Sequence, residues 1–172
     1  MYYVLGLDVG TTQTGYCITN SDTLRPFKAG KIDNENIYEI IDIFSKMPSE
    51  KIMALEQFSY YGKNNSIGST TIDSITWNGK FMREAEIKGI PCELVYRKDE
   101  KMLIIGNTKC GDKEIRQSLI RKFALTANGP GTKKYPDFFY GFARDMWSAY
   151  SVCLVLIMRK KGITKASEWI NT

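Results

Sequence analysis

The sequence predicts a single α/β domain that opens with an antiparallel β-meander. Three observations carry this. Residues 2 to 32 are runs of aromatic and branched residues separated by turn signals. After them, stretches with helical periodicity alternate with short apolar runs. The length of 172 residues, with no internal repeat and no linker, suits one domain able to bury its own core.

The elements follow in order. Tyr2-Tyr-Val-Leu-Gly-Leu-Asp-Val-Gly10 reads as a strand. Thr11-Thr-Gln-Thr-Gly15 is a turn signal, and Tyr16-Cys-Ile-Thr19 is the returning strand of a hairpin. Arg25 to Ile32 suits a third strand. Glu35 to Lys46 places Ile37, Ile40, Ile41 and Phe44 on one helical stripe. Lys51-Ile-Met-Ala-Leu-Glu56 is a short buried strand ending on a carboxylate. Ser66 to Lys88 is expected to be helical, with Ile67, Ile75, Met82 and Ala85 near one face. Gly89-Ile-Pro91 ends it, and Cys92 to Tyr96 is the next strand. A helix over Asp112 to Ala124 has Asp112 as its expected N-cap. Gly129-Pro-Gly131 breaks the chain, and Asp137 to Arg159 is the expected last long helix. The order is β-β-β-α-β-α-β-α-α.

Composition narrows the chemistry. With 12% aromatics and 43% apolar residues the chain can offset its ordering entropy, so disorder is not expected. The uncharged run Met146 to Met158 is too short to span a bilayer and predicts a buried helix. No secretory signal is expected. Cys17, Cys92, Cys110 and Cys153 are widely spaced, which predicts reduced thiols in a cytosolic protein and no zinc site. There is no histidine, so His-based triads and imidazole bases are excluded. Hydrolytic chemistry here must use carboxylates, a metal, lysine or a free thiol. A net charge of +5 permits a polyanionic partner.

Three carboxylates stand out. Asp8 follows the strand Val4-Leu-Gly-Leu7, Glu56 ends a strand, and Asp145 lies in an otherwise apolar helix. Such positions cost desolvation energy unless the charge is paired or metal-bound. Each has a plain structural reading as well: a turn cap, a solvated strand end, and a wet helix face or a pair with Arg144. Together they suggest one oxygen-ligand cluster for Mg²⁺ or Mn²⁺, a cluster type that serves phosphoryl transfer. From Arg97 to Lys134 ten Lys/Arg face four Asp/Glu, so positive charge is concentrated in that segment. Basic side chains there would neutralise phosphates, although a solvated helix face is the plainer alternative. Phe58, Tyr60 and Tyr61 stand in a Gly/Asn loop and could stack on unpaired bases; core packing is the alternative for Phe58.

The residues Leu5-Gly-Leu-Asp-Val-Gly-Thr-Thr-Gln-Thr-Gly-Tyr16 resemble the opening motif of RuvC-type Holliday junction resolvases. Further matches occur in the family's order. Leu55-Glu56-Gln57 is followed by Lys63-Asn64, Gly111-Asp-Lys113 opens a helix, and Asp145 precedes the small residues Ser148 and Ala149. The resemblance covers essentially the whole chain, and the Lys, Ile and Asn content suits a phage or low-GC bacterial source. It implies a ribonuclease H-like fold with a five-stranded mixed sheet flanked by helices. Within it, strands one to three form the meander, the Glu56 strand pairs with the first, and the last helix lays Asp145 across both.

The implied activity is an Mg²⁺-dependent endonuclease, with Mn²⁺ able to substitute. It would resolve four-way or other branched DNA by paired nicks leaving 5′-phosphates, in recombination, repair or phage DNA processing. The implied metal ligands and catalytic carboxylates are Asp8, Glu56 and Asp145, with Lys113 near the scissile phosphate. Lys63, Asn64, Lys109, Arg116, Phe58 and Tyr60 are the implied DNA contacts. A homodimer is implied through the 66–88 helix, whose Gly68, Ser69 and Gly79 allow close approach.

One departure concerns the fourth acidic residue that the bacterial resolvases carry three positions before the last aspartate. Here Phe142 stands there. Asp137, eight residues before Asp145, would lie about 12 Å away along a helix. A three-carboxylate site with weaker second-metal binding is therefore expected. Asp-x-Gly-Thr-Thr also resembles the phosphate hairpin of sugar kinases and actin-like ATPases, a two-lobed fold longer than this chain. A nucleic-acid-binding module without chemistry is the remaining alternative.

Overall fold

The computed structural model describes residues 1–58, 68–125 and 131–170. Five strands form one mixed sheet: β1 (Tyr2–Val9), β2 (Gln13–Asn20), β3 (Pro26–Asp33), β4 (Glu50–Gln57) and β5 (Cys92–Tyr96), in the spatial order β3-β2-β1-β4-β5. β1, β2 and β3 are the antiparallel meander. β4 runs parallel to β1, and β5 parallel to β4.

The central strand β1 is buried on both faces, which explains its near-continuous apolar run. Leu5, Leu7, Ile18, Met53 and Leu55 form the core on one face, where α1 (Ile37–Ser45) and α2 (Ser69–Ile87) cover the sheet. Val4, Cys17 and Ala54 form the core on the other, against α5 (Asp145–Lys160). Helix α5 is buried nearly all round, as the apolar run 146–158 predicts. It lies very close to the sheet because Gly6 and Gly15 carry no side chains. A Cβ at Gly6 would stand 2.2 Å from the Ala149 carbonyl oxygen.

The stripe predicted for α1 is the buried one: Ile37, Ile40, Ile41 and Phe44. Helix α2 is rotated from expectation. Its buried positions are Ser74, Asn78, Phe81 and Ala85, and Ile75 is exposed. Polar Asn78 turns inward because its side-chain amide donates to the Glu56 carbonyl at 3.0 Å, satisfying a backbone acceptor at the end of β4.

Two helices lie where no element was expected. α3 (Arg97–Ile104) follows β5 without a loop, and α6 (Ala166–Ile170) closes the chain. α4 (Asp112–Phe123) begins where predicted, but its N-cap is Gly111 rather than Asp112, with the Glu114 carboxylate accepting the Gly111 amide at 3.0 Å.

The last long helix begins at Asp145, not at Asp137. Gly141 (φ +82°) and Arg144 (φ +37°) turn the chain before it, and a helix cannot run through left-handed backbone. Asp137 accepts the amides of Leu125 and Phe138 at 2.9 and 2.6 Å. It is only 8% exposed and is committed to holding this turn.

Candidate functional site

The parallel pairing of β1 and β4 brings their C-terminal ends to one edge, where ligands of α/β sheets gather. Leu7 pairs with Leu55, so the next residues, Asp8 and Glu56, are neighbours. Both project to the α5 side, in the alternation of Gly6 and Ala54. Their carboxyl groups share a hydrogen bond. Burial, then the charges of Glu56 and Asp145, push the Asp8 carboxyl up to about 7, while Arg97 and a hydrogen bond with Ser148 act against the rise. Burial likewise raises Glu56, opposed by Arg97 and by the bond to Asp8. The pair holds a proton near neutrality because two buried like charges cannot both ionise cheaply.

Asp145 arrives from the helix above. Gly15 lies opposite Asp8 in the sheet, and a Cβ on Gly15 would stand 2.5 Å from the Asp145 carbonyl oxygen. The missing side chain thus lets the first turn of α5 settle over the carboxylate pair. Its own carboxylate makes an ion pair with Lys31 at 2.7 Å. Among the described residues no three acidic or thiol side chains close around a single point. Asp8 and Glu56 are in contact, and Asp145 stands within electrostatic reach of Asp8 but is turned to Lys31.

Sequence reasoning missed Arg97 and Glu100 as site residues. Arg97 follows the end of β5, and its guanidinium binds Glu100 at 2.5 Å and also Asp112. Burial opposes its charge, yet Glu100, Glu56 and Asp112 hold it firmly protonated. Glu100 is 0% exposed, and its Oε1 has no hydrogen-bond partner. Burial, reinforced by Glu56, pushes its carboxyl well above the usual range, against the pull of Arg97. The strand-end rule that singled out Glu56 would have found Arg97 if applied to β5.

Two clefts meet at Arg97. One, of 410 Å³, is lined by Lys113, Arg116, Arg144, Asp145 and Ser148 as well as Arg97. The other, of 460 Å³, is lined by Glu56, Gln57, Phe58, Lys98 and Lys101 beside Arg97. Lys113 and Asp145 thus line one cleft, and Phe58 and Glu56 the other. Arg116 lies over the Trp147 ring at 5.1 Å, a cation–π contact that fixes its direction. Lys109 is exposed in the loop between α3 and α4. Tyr60, Tyr61, Lys63 and Asn64 lie outside the described residues. Phe142, three positions before Asp145 and ahead of the helix start, packs 5.2 Å from both Phe139 and Trp147 in an aromatic cluster.

These donors fit a hard divalent cation. They are oxygen atoms only, they are partly buried, and their mutual repulsion is what a cation would relieve.

No family model matches the sequence, and no curated protein matches it. Solved structures do. Thermus thermophilus RuvC is 17% identical with a TM-score of 0.64, over 95% of this chain and 98% of that one. The same protein in complex with a Holliday junction substrate is 15% identical with a TM-score of 0.66, over 96% of this chain and 99% of that one. The likeness thus runs through the whole sheet and its helices, and this chain has the ribonuclease H-like fold of RuvC that its opening motif implied.

Proposed function

We propose that the protein is a Mg²⁺-dependent endodeoxyribonuclease, able to use Mn²⁺, that resolves four-way and other branched DNA by paired nicks. The observation that carries this is the partly buried Asp8–Glu56 pair, with Glu56 lining one of two clefts rich in Lys and Arg that meet at Arg97. Asp8 and Glu56 would hold the metal, with Asp145 beside them. A divalent ion there supplies an activated water and stabilises the leaving oxygen. The junction seen on Thermus RuvC supports the substrate class.

The remaining residues bind and orient DNA. Lys113, at the start of α4 where backbone amides favour anions, is the group assigned to the scissile phosphate. Lys109, Arg116, Lys98 and Lys101, with Lys63 and Asn64, are assigned to the phosphate backbone, and Phe58 with Tyr60 to the branch point. Lys113→Ala should lower turnover by about 10²-fold or more with little change in junction affinity. Arg116→Ala should instead weaken binding and flatten its salt dependence. Single-turnover cleavage and binding at several salt concentrations separate the two. A Lys113→Ala protein that cuts at the wild-type rate removes lysine from the chemistry.

Two opposed nicks require two sites related by a two-fold axis, so the reading includes a homodimer. Helix α2 supports it: Ile72 is 52% and Ile75 45% exposed, and nothing lies within 4 Å of a Cβ at Gly79. Gly79→Arg should therefore leave the fold intact but give a monomer by light scattering. A variant that remains dimeric would move the interface elsewhere. Among the described residues no helix is long and apolar enough to cross a membrane, and a cytoplasmic setting with access to DNA belongs to the same reading.

The function itself is tested by mapping the ends produced from a synthetic four-way junction in Mg²⁺ and in EDTA. Paired nicks with 5′-phosphate ends in Mg²⁺ only are expected. Binding without cutting in either would leave a non-catalytic DNA-binding module.

A further inference from the structure

Sheet register places a lysine in the row of the carboxylates. Lys31 on β3 pairs with Gly15 on β2, and Gly15 pairs with Asp8 on β1. Glu56 follows on β4, one residue past the Leu7–Leu55 pair. Residues paired across a sheet project to the same face. Lys31, the empty position of Gly15, Asp8 and Glu56 therefore form one row beneath the first turn of α5. The Lys31 ammonium ends that row 2.7 Å from Asp145 Oδ2, with the two side chains only 33% and 35% exposed.

This is an unusual place for a cation. The N-terminus of a helix carries partial positive charge and favours anions. Lys31 is held there against the helix by the Asp145 carboxylate. With Asp145 turned to Lys31, no three acidic groups among the described residues converge on one point.

We propose that Lys31 stands in for a second metal ion. The protein then takes one divalent cation, at Asp8 and Glu56, while the tethered ammonium neutralises Asp145 and faces the phosphate backbone. This deepens the proposed nuclease function and rests on its metal-binding reading. It makes Lys31 a positioning residue for Asp145.

The test is a Mn²⁺ titration without DNA, by calorimetry and electron paramagnetic resonance, on wild type, Lys31→Met and Lys31→Arg. Circular dichroism checks that each is folded. Wild type and Lys31→Arg should bind one ion. Lys31→Met should bind two, the second at least about tenfold more tightly than any second ion in wild type, because the competing charge is gone. If Lys31→Met does not fold, Asp145→Asn gives the answer. It should change the affinity of the single ion by less than about threefold, since Asp145 is turned to Lys31 and does not hold that ion. A larger loss would overturn the proposal. Two ions of similar affinity in wild type, or one ion in both wild type and Lys31→Met, would also overturn it while leaving the metal reading intact. No ion bound by either protein would reject the metal reading, and the role of Lys31 with it.

Discussion

Asp8→Asn is expected to melt at a higher temperature than wild type and to cut no DNA. Burial and the charges of Glu56 and Asp145 hold the Asp8 carboxyl at about 7, against 3.8 for the free group. The sign follows from proton counting. Between those values the folded protein binds the proton and the unfolded chain does not, so stability falls as pH rises through the window. Above pH 7 the folded protein carries the whole penalty; below about 4 it carries none. Raising the carboxyl from 3.8 to about 7 corresponds to about 4 kcal/mol at most, and about 2–4 kcal/mol when the proton is shared with Glu56.

The neutral amide removes this cost and still fills the same space. The gain at pH 8 without metal should be about 4–10 °C for a chain of this size, shrinking to nothing near pH 4. Added Mn²⁺ should raise the wild-type melting temperature and leave that of Asp8→Asn nearly unchanged. Cleavage should fall by about 10³-fold or more. Equal melting temperatures at pH 8 would mean that Asp8 is not a strained, buried carboxylate.

Gly15→Ala is the second large effect expected. The new Cβ would stand 2.5 Å from the Asp145 carbonyl oxygen and 2.7 Å from the Asp145 Cβ. Neither wall can yield easily. β2 is paired on both sides, with Asp8 and with Lys31, and α5 is buried along nearly its whole length. The first turn of α5 must lift, which costs about 1–3 kcal/mol as overpacking. Asp145 and Ser148 move with it relative to Asp8, and in the proposed site a displacement of about 1 Å can cost 10²-fold in rate. A folded protein with a slightly lower melting temperature and at least 10²-fold less cleavage is expected. Wild-type cleavage by Gly15→Ala would show that the seating of α5 on β2 does not position the site.

Gly15 also shows why the opening motif was legible. Asp8, Gly15 and Tyr16 are close in sequence because one hairpin brings them together, so a local pattern reports a local structure. The meander and the α1 stripe were legible for the same reason. The pairing of β4 with β1 came from the resemblance, and with it the meeting of Asp8 and Glu56. The α2 face was misjudged because Asn78 turns inward to a carbonyl on β4, a partner that helical periodicity cannot contain. The start of α5 was misplaced because Gly141 and Arg144 adopt positive φ within a run that otherwise suits a helix. α3 was missed since Arg97-Lys-Asp-Glu-Lys101 reads as a solvated charge run, yet Glu100 within it is fully buried. Lys31, Arg97 and Glu100 join the site through sheet register and helix packing. Lys31 and Glu100 have an ordinary surface residue's signature in the sequence, whereas Arg97 is marked by its place at the end of β5.

The central claim is that one metal-dependent carboxylate site cuts branched DNA. The most direct measurement compares wild type with Asp8→Asn on a synthetic four-way junction in Mg²⁺, reading binding by gel shift and cleavage by end-labelled products. Wild type should bind and place paired nicks, and Asp8→Asn should bind with similar affinity and place none. Equal cleavage by the two proteins would contradict the account.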